Sequence, residues 1–98
     1  MSRATPTREA LLRWQQDERT YSENNHQQAL DDLAEQRATT RATIEAGGFP
    51  AKFLVSHDAE TDRQLAELRS TNERLTRVML DRHQHELATR RPTREELT

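Results

Sequence analysis

Every glycine and proline of this 98-residue chain lies at one of three places: at Pro6, between Gly47 and Pro50, or at Pro92. The two stretches between these places, of 40 and 41 residues, contain neither residue type. Proline lacks an amide N–H and clashes with the preceding helical turn, whereas glycine readily takes the left-handed conformation that commonly ends a helix. The spacing therefore predicts an all-α fold, a long antiparallel hairpin of two helices joined by a Gly-Gly-Phe-Pro turn.

The same residues set the predicted boundaries within a single domain, residues 1–98. A hydroxyl side chain beside Pro6 and the acidic Glu9 mark the start of the first helix, and Ser56 to Asp58 can cap the second. The predicted segments are an N-terminal tail, helix 1, an apolar turn, helix 2 and a C-terminal tail, over residues 1–6, 7–46, 47–56, 57–91 and 92–98.

The first helix has a weak middle, because Tyr21 is the only large apolar residue between positions 15 and 28. A break at Ser22-Glu23-Asn24-Asn25 would explain this composition. A continuous helix is favoured, since neither glycine nor proline interrupts the segment.

Apolar residues at helical spacing predict a seam along both helices. In the second helix the spacing alternates between three and four residues, which is typical of a coiled coil and puts Asn72 at an a position. An asparagine there can fix the register of a parallel dimer, or can lie at the solvated edge of an antiparallel hairpin in which facing residue numbers sum to about 102. The predicted oligomer seam consists of Trp14, Tyr21, Leu30, Leu33, Leu65, Leu68, Asn72, Leu75 and Met79.

The apolar content is too small for a well-cored monomer. Leu, Ile, Val and Phe together number 16 of 98 residues, and the charged fraction is 33%. One thin seam does not offset about 1.5 kcal/mol of ordering entropy per residue. We therefore expect a homo-oligomer, most simply a dimer that forms a four-helix bundle, and a larger protein as a further partner.

The residue inventory argues against an enzyme. Cysteine is absent, and one Gly-Gly pair cannot build a phosphate-binding loop or a nucleophile elbow. His83 and His85 would point 200° apart on a helix, so they are interpreted as surface histidines that cannot share a metal ion. No catalytic residue, cofactor or metal site is predicted.

Two segments remain as candidate interaction sites. Phe49, Pro50, Phe53 and Leu54 concentrate apolar surface at the apex, where a turn is normally polar, so they predict a partner-binding site. The alternative is a nucleic-acid accessory protein, because a basic C-terminal end could contact phosphates. Its candidate contacts are Arg82, Arg90, Arg91 and Arg94.

Together these features predict a non-enzymatic helical assembly or adaptor protein that acts through helix–helix contacts. A phage or plasmid accessory or structural role is compatible with this prediction. A net charge of −2 gives no general attraction to nucleic acid or to an anionic membrane, and no apolar run is long enough for a signal peptide or a membrane span. The expected location is the cytoplasm, or the interior of a virion or host cell.

Overall fold

The computed structural model describes residues 6–92 and 96, and it confirms the all-α hairpin. Helix α1 runs over Arg8–Ala46 and helix α2 over Ala51–Thr89, with 39 residues each. In the part of the chain that the structure describes there is no strand. The two helices lie side by side in a rod of 74 × 21 × 18 Å.

Helix α1 begins at Arg8, one residue after the predicted start, and continues without a break. Thr7 is the N-cap, and its Oγ1 accepts a hydrogen bond of 3.0 Å from the Ala10 amide. The polar middle is helical throughout, which excludes the predicted alternative of a break at Ser22–Asn25. Side chains one turn apart bridge each other there, as in the 2.9 Å hydrogen bond from Gln28 Nε2 to Asp32 Oδ1.

The turn is a Schellman motif that depends on Gly48. This residue has φ of +67°, the left-handed region in which glycine carries no Cβ penalty. Its amide donates to the Glu45 carbonyl at 3.3 Å, and the Phe49 amide donates to the Ile44 carbonyl at 3.4 Å. Both hydrogen bonds satisfy carbonyl groups that the end of α1 would otherwise leave free.

Helix α2 begins at Ala51 and not at residue 57, so the predicted turn over residues 47–56 was too long. Pro50 is the N-cap, with φ of −56°, and its carbonyl accepts the first hydrogen bond, 3.0 Å long, from the Phe53 amide. No glycine or proline lies between Pro50 and Pro92, so the apolar segment is helical and Ser56 to Asp58 do not form the cap. At the other end α2 stops at Thr89, two residues before the predicted end, because Pro92 follows closely.

The early start of α2 also changes the register. The contacts between the helices, such as Gln15 with His83 and Arg37 with Asp62, join residues whose numbers sum to between 95 and 101, centred near 99 and not near 102. The shift of about one helical turn follows from a reversal over four residues, Gly47–Pro50, where the sequence predicted ten.

The hairpin has almost no interior. Among the described residues, Leu11 is the only apolar side chain that is buried, at 6% exposure, and the other buried residues are Gln15, Thr61 and His83. The Cα radius of gyration is 22.0 Å, against about 13 Å for a compact domain of this length. The hairpin exposes 8017 Å² for a mass of 11.4 kDa, whereas a compact monomer of that mass exposes about 5800 Å².

Candidate protein-interaction site

A cluster of four polar residues, Gln15, Glu18, Arg82 and His83, joins the helices near their free ends; we call it the open-end cluster. Gln15 Nε2 donates a 2.9 Å hydrogen bond to the His83 carbonyl. Glu18 pairs with the Arg82 guanidinium, and its other oxygen lies 2.6 Å from His83 Nε2. The contact with His83 and the Arg82 guanidinium lower the pKa of the Glu18 carboxyl. The cluster thus fixes the register of the hairpin.

The structure corrects the interpretation of His83 as a surface residue. His83 is only 3% exposed, whereas His85, two residues along, is exposed. The 200° between them sends one imidazole inward and the other to solvent. His83 Nδ1 is buried without a hydrogen-bond partner, so the ring is held by Glu18 and by packing.

A second cluster of polar residues, Arg37, Arg41, Asp58 and Asp62, joins the helices near the turn; we call it the apical cluster. Arg41 pairs with Asp58, and Arg37 contacts both aspartates at 3.4 Å. The Arg41 hydrogen bond is the main cause of a lowered pKa for the Asp58 carboxyl. Both ends of the hairpin are therefore held by charge-assisted contacts, while the middle is not.

We predict that acid weakens the hairpin in a defined pH range. The pKa values of Glu18 and Asp58 are lowered in the folded state, so both carboxylates contribute fully to the free energy of unfolding at any pH above their unfolded pKa values of 4.5 and 3.8. This contribution is lost as the pH falls from the unfolded pKa values through the lower, folded pKa values. Urea unfolding followed between pH 7 and pH 3 should show constant stability above about pH 5 and a decline below it.

The control for this prediction is a pair of variants that each neutralise one glutamate. Glu18→Gln should lower stability at pH 7 and flatten the acid decline, whereas Glu23→Gln, at an exposed position, should do neither. An identical pH profile for the two variants would contradict the role of Glu18.

Between the two clusters one side of the hairpin forms an open apolar cleft, which we call the apolar face. Its volume is about 460 Å³. Tyr21, Leu75 and Val78 are exposed along it, and Leu68 and Met79 form part of its floor. Glu18 and Arg82 border it at one end. The other residues that line it are Ser22, Asn25, His26, Ala29, Thr71 and Asn72.

The residues of the predicted oligomer seam fall into two groups. Trp14, Tyr21 and Leu75 are exposed by 60%, 68% and 58%, so these side chains do not fill the space between the helices of one chain. Val78, which the sequence reasoning missed, is exposed beside Leu75. The remaining seam residues are half-buried: Leu30, Leu33, Leu65, Leu68, Asn72 and Met79.

At the apex the two phenylalanines pack against each other. Their ring centroids are 5.5 Å apart in an edge-to-face arrangement, with Lys52 Nζ 5.7 Å from the centre of the Phe53 ring. Phe49, Pro50 and Phe53 are exposed and Leu54 is half-buried. The predicted apex site therefore presents accessible apolar surface, and its binding role stays a prediction.

We predict that the double variant Phe49→Ser, Phe53→Ser retains the helical content of the protein. Phe49 and Phe53 are 54% and 44% exposed and their rings contact each other, so the double change removes little burial against the helices and should shift the melting temperature by only a few degrees. Circular dichroism with thermal melting checks this. A large loss of helix signal would mean that the rings hold the turn itself together.

Two of the four arginines proposed to contact phosphates are paired within the chain. Arg82 pairs with Glu18 and Glu86, and Arg90 pairs with Glu96. Arg91 is exposed, and Arg94 lies outside the described residues. A phosphate would have to displace these carboxylates, which weakens the alternative of nucleic-acid binding.

Neither a metal site nor a membrane span is found in the described part of the chain. No group of three His, Cys, Asp or Glu side chains there could hold a metal ion. Neither helix includes a segment apolar enough to cross a bilayer. Searches of protein-family models, curated proteins and solved structures each found no match to this chain.

Proposed function

We propose that the protein is a non-enzymatic helical assembly protein that acts through helix–helix contacts with other chains, its own copies first. The observation that supports this most directly is that the hairpin buries mostly polar side chains and exposes large apolar ones. Leu11 is the one buried apolar side chain of the described residues, while Trp14, Tyr21, Leu75 and Val78 are exposed. Exposed apolar residues grouped on one side of a molecule commonly mark a protein interface.

The exposed area is of the size that an interface requires. The hairpin exposes 8017 Å², about 2200 Å² more than a compact monomer of its mass. A standard interface buries about 800 Å² on each partner, and obligate dimers bury more. Association of two hairpins can therefore supply the burial that one chain lacks.

The apex is the surface through which we propose that the protein contacts a larger partner. Phe49 and Phe53 lie at the end of the hairpin opposite the open-end cluster, about 40 Å from Tyr21 along the helix axis. A hairpin assembled along its sides would keep this end accessible to a larger protein. The nucleic-acid alternative has less support, because Arg82 and Arg90 are already paired.

The experiment that tests assembly is a dilution series. We predict that the melting temperature rises with protein concentration, because association stabilises only the folded state. Sedimentation velocity should show a dimer at the higher concentrations. A species that stays monomeric, and whose melting temperature does not change over a hundredfold dilution, would contradict the proposal.

A further inference from the structure

We propose that the apolar face binds the same face of a second copy, with the two hairpins antiparallel about a two-fold axis. This inference rests on the proposed self-assembly and specifies which surface meets which. The partner is another molecule of this chain, and the product is a four-helix bundle in which Tyr21, Leu75 and Val78 become interior residues.

The first argument is the chemistry of the face. One third of the residues in this chain are charged, yet only two of the residues that line the face are, Glu18 and Arg82 at one end. These two pair with each other, so neither needs a partner from another molecule. The rest of the lining is apolar or neutral, and its polar members are small hydroxyl and amide side chains with His26.

A surface with so little charge is better suited to pack against its own copy than against a strongly charged partner. At a two-fold interface each residue lies near the same residue of the other chain close to the axis, so a charge there would meet a like charge. A neutral face avoids that repulsion, whereas an acidic or basic partner would find no counter-charge to bind. Asn25, near the centre of the face, can hydrogen-bond to its own counterpart, because an amide group both donates and accepts.

The second argument concerns orientation and rests on the distribution of charge along the rod. The apical half, residues 27–72, carries eight acidic and five basic side chains. In the rest of the described chain the two signs are equal, with eight of each. A parallel dimer would put the two negative apical halves side by side, while an antiparallel dimer puts each beside a neutral half.

Pulsed electron spin resonance distances test the orientation directly, because the chain has no cysteine and accepts single labels. Labels are placed outside the face, at Arg13→Cys and Glu45→Cys, both exposed positions. The antiparallel dimer predicts label separations of about 35 Å for position 13 and about 60 Å for position 45. A parallel dimer predicts below about 30 Å for both, and that result would overturn this inference while leaving self-assembly intact.

A matched pair of variants tests the face. Leu75→Glu buries a charge near its own counterpart and should raise the dimer dissociation constant at least about 100-fold in sedimentation equilibrium. Val55→Glu, at an exposed position of α2 that is 200° from Leu75 around the helix and does not line the face, should leave it within about threefold. The reverse pattern would assign the interface to the opposite face. A wild-type chain that is monomeric at every concentration would overturn both this inference and the proposed function.

Discussion

Replacing Leu11 with alanine is expected to lower the free energy of unfolding by about 2–4 kcal/mol, which is the usual cost of truncating a buried leucine. Leu11 is the only apolar side chain of the described residues that the hairpin buries, at 6% exposure. The chain around it cannot compensate, since the neighbouring buried residues Gln15 and His83 are polar and hydrogen-bonded. Urea unfolding at one fixed protein concentration measures the effect.

The control is Leu75→Ala at low protein concentration. Leu75 has the same side chain but is 58% exposed, so its truncation in the monomer should cost less than about 1 kcal/mol. At high concentration the cost of Leu75→Ala should increase, because dimer formation would then bury it. If Leu11→Ala and Leu75→Ala lowered the free energy of unfolding equally at every protein concentration, Leu11 would not be the more buried of the two leucines.

The fold was predictable because helix breakers are few and their effects are local. Gly47, Gly48 and Pro50 interrupt the chain at one place, and the structure reverses there. The length of the turn was not predictable by the same reasoning, because an apolar segment such as residues 53–55 fits a buried loop as well as a helix. The structure shows it as helix, and the register moved by about one turn as a result.

The polar contacts between the helices were missed because the sequence reasoning paired only apolar residues across the hairpin. Glu18 with Arg82 and Glu18 with His83 sum to 100 and 101, so both pairs lie close to the predicted register of about 102. Gln15 and His83 gave no signal of their own, since neither residue type is usually buried. The apolar seam was predictable in composition, but two helices can enclose only part of it, so Trp14 and Tyr21 are exposed.

Replacing His83 with alanine is expected to lower the free energy of unfolding by about 2–3 kcal/mol, although the sequence alone placed this residue on the surface. The ring is 3% exposed, so its removal leaves a cavity between the helices. It also removes the Nε2 contact that orients Glu18, which then depends on Arg82 alone. Thermal and urea unfolding measure the loss, and His85→Ala is the control, with a change within about 0.5 kcal/mol because His85 is exposed.

A double-mutant cycle separates the cavity from the polar contact. If His83 acts partly through Glu18, then Glu18→Gln and His83→Ala together should cost less than the sum of their separate effects, since each already breaks the shared contact. Strict additivity would mean that His83 stabilises the hairpin by packing alone. A His83→Ala protein as stable as His85→Ala would instead place the imidazole in solvent, and the register of the two helices would have to differ from the one that joins Gln15 to the His83 carbonyl.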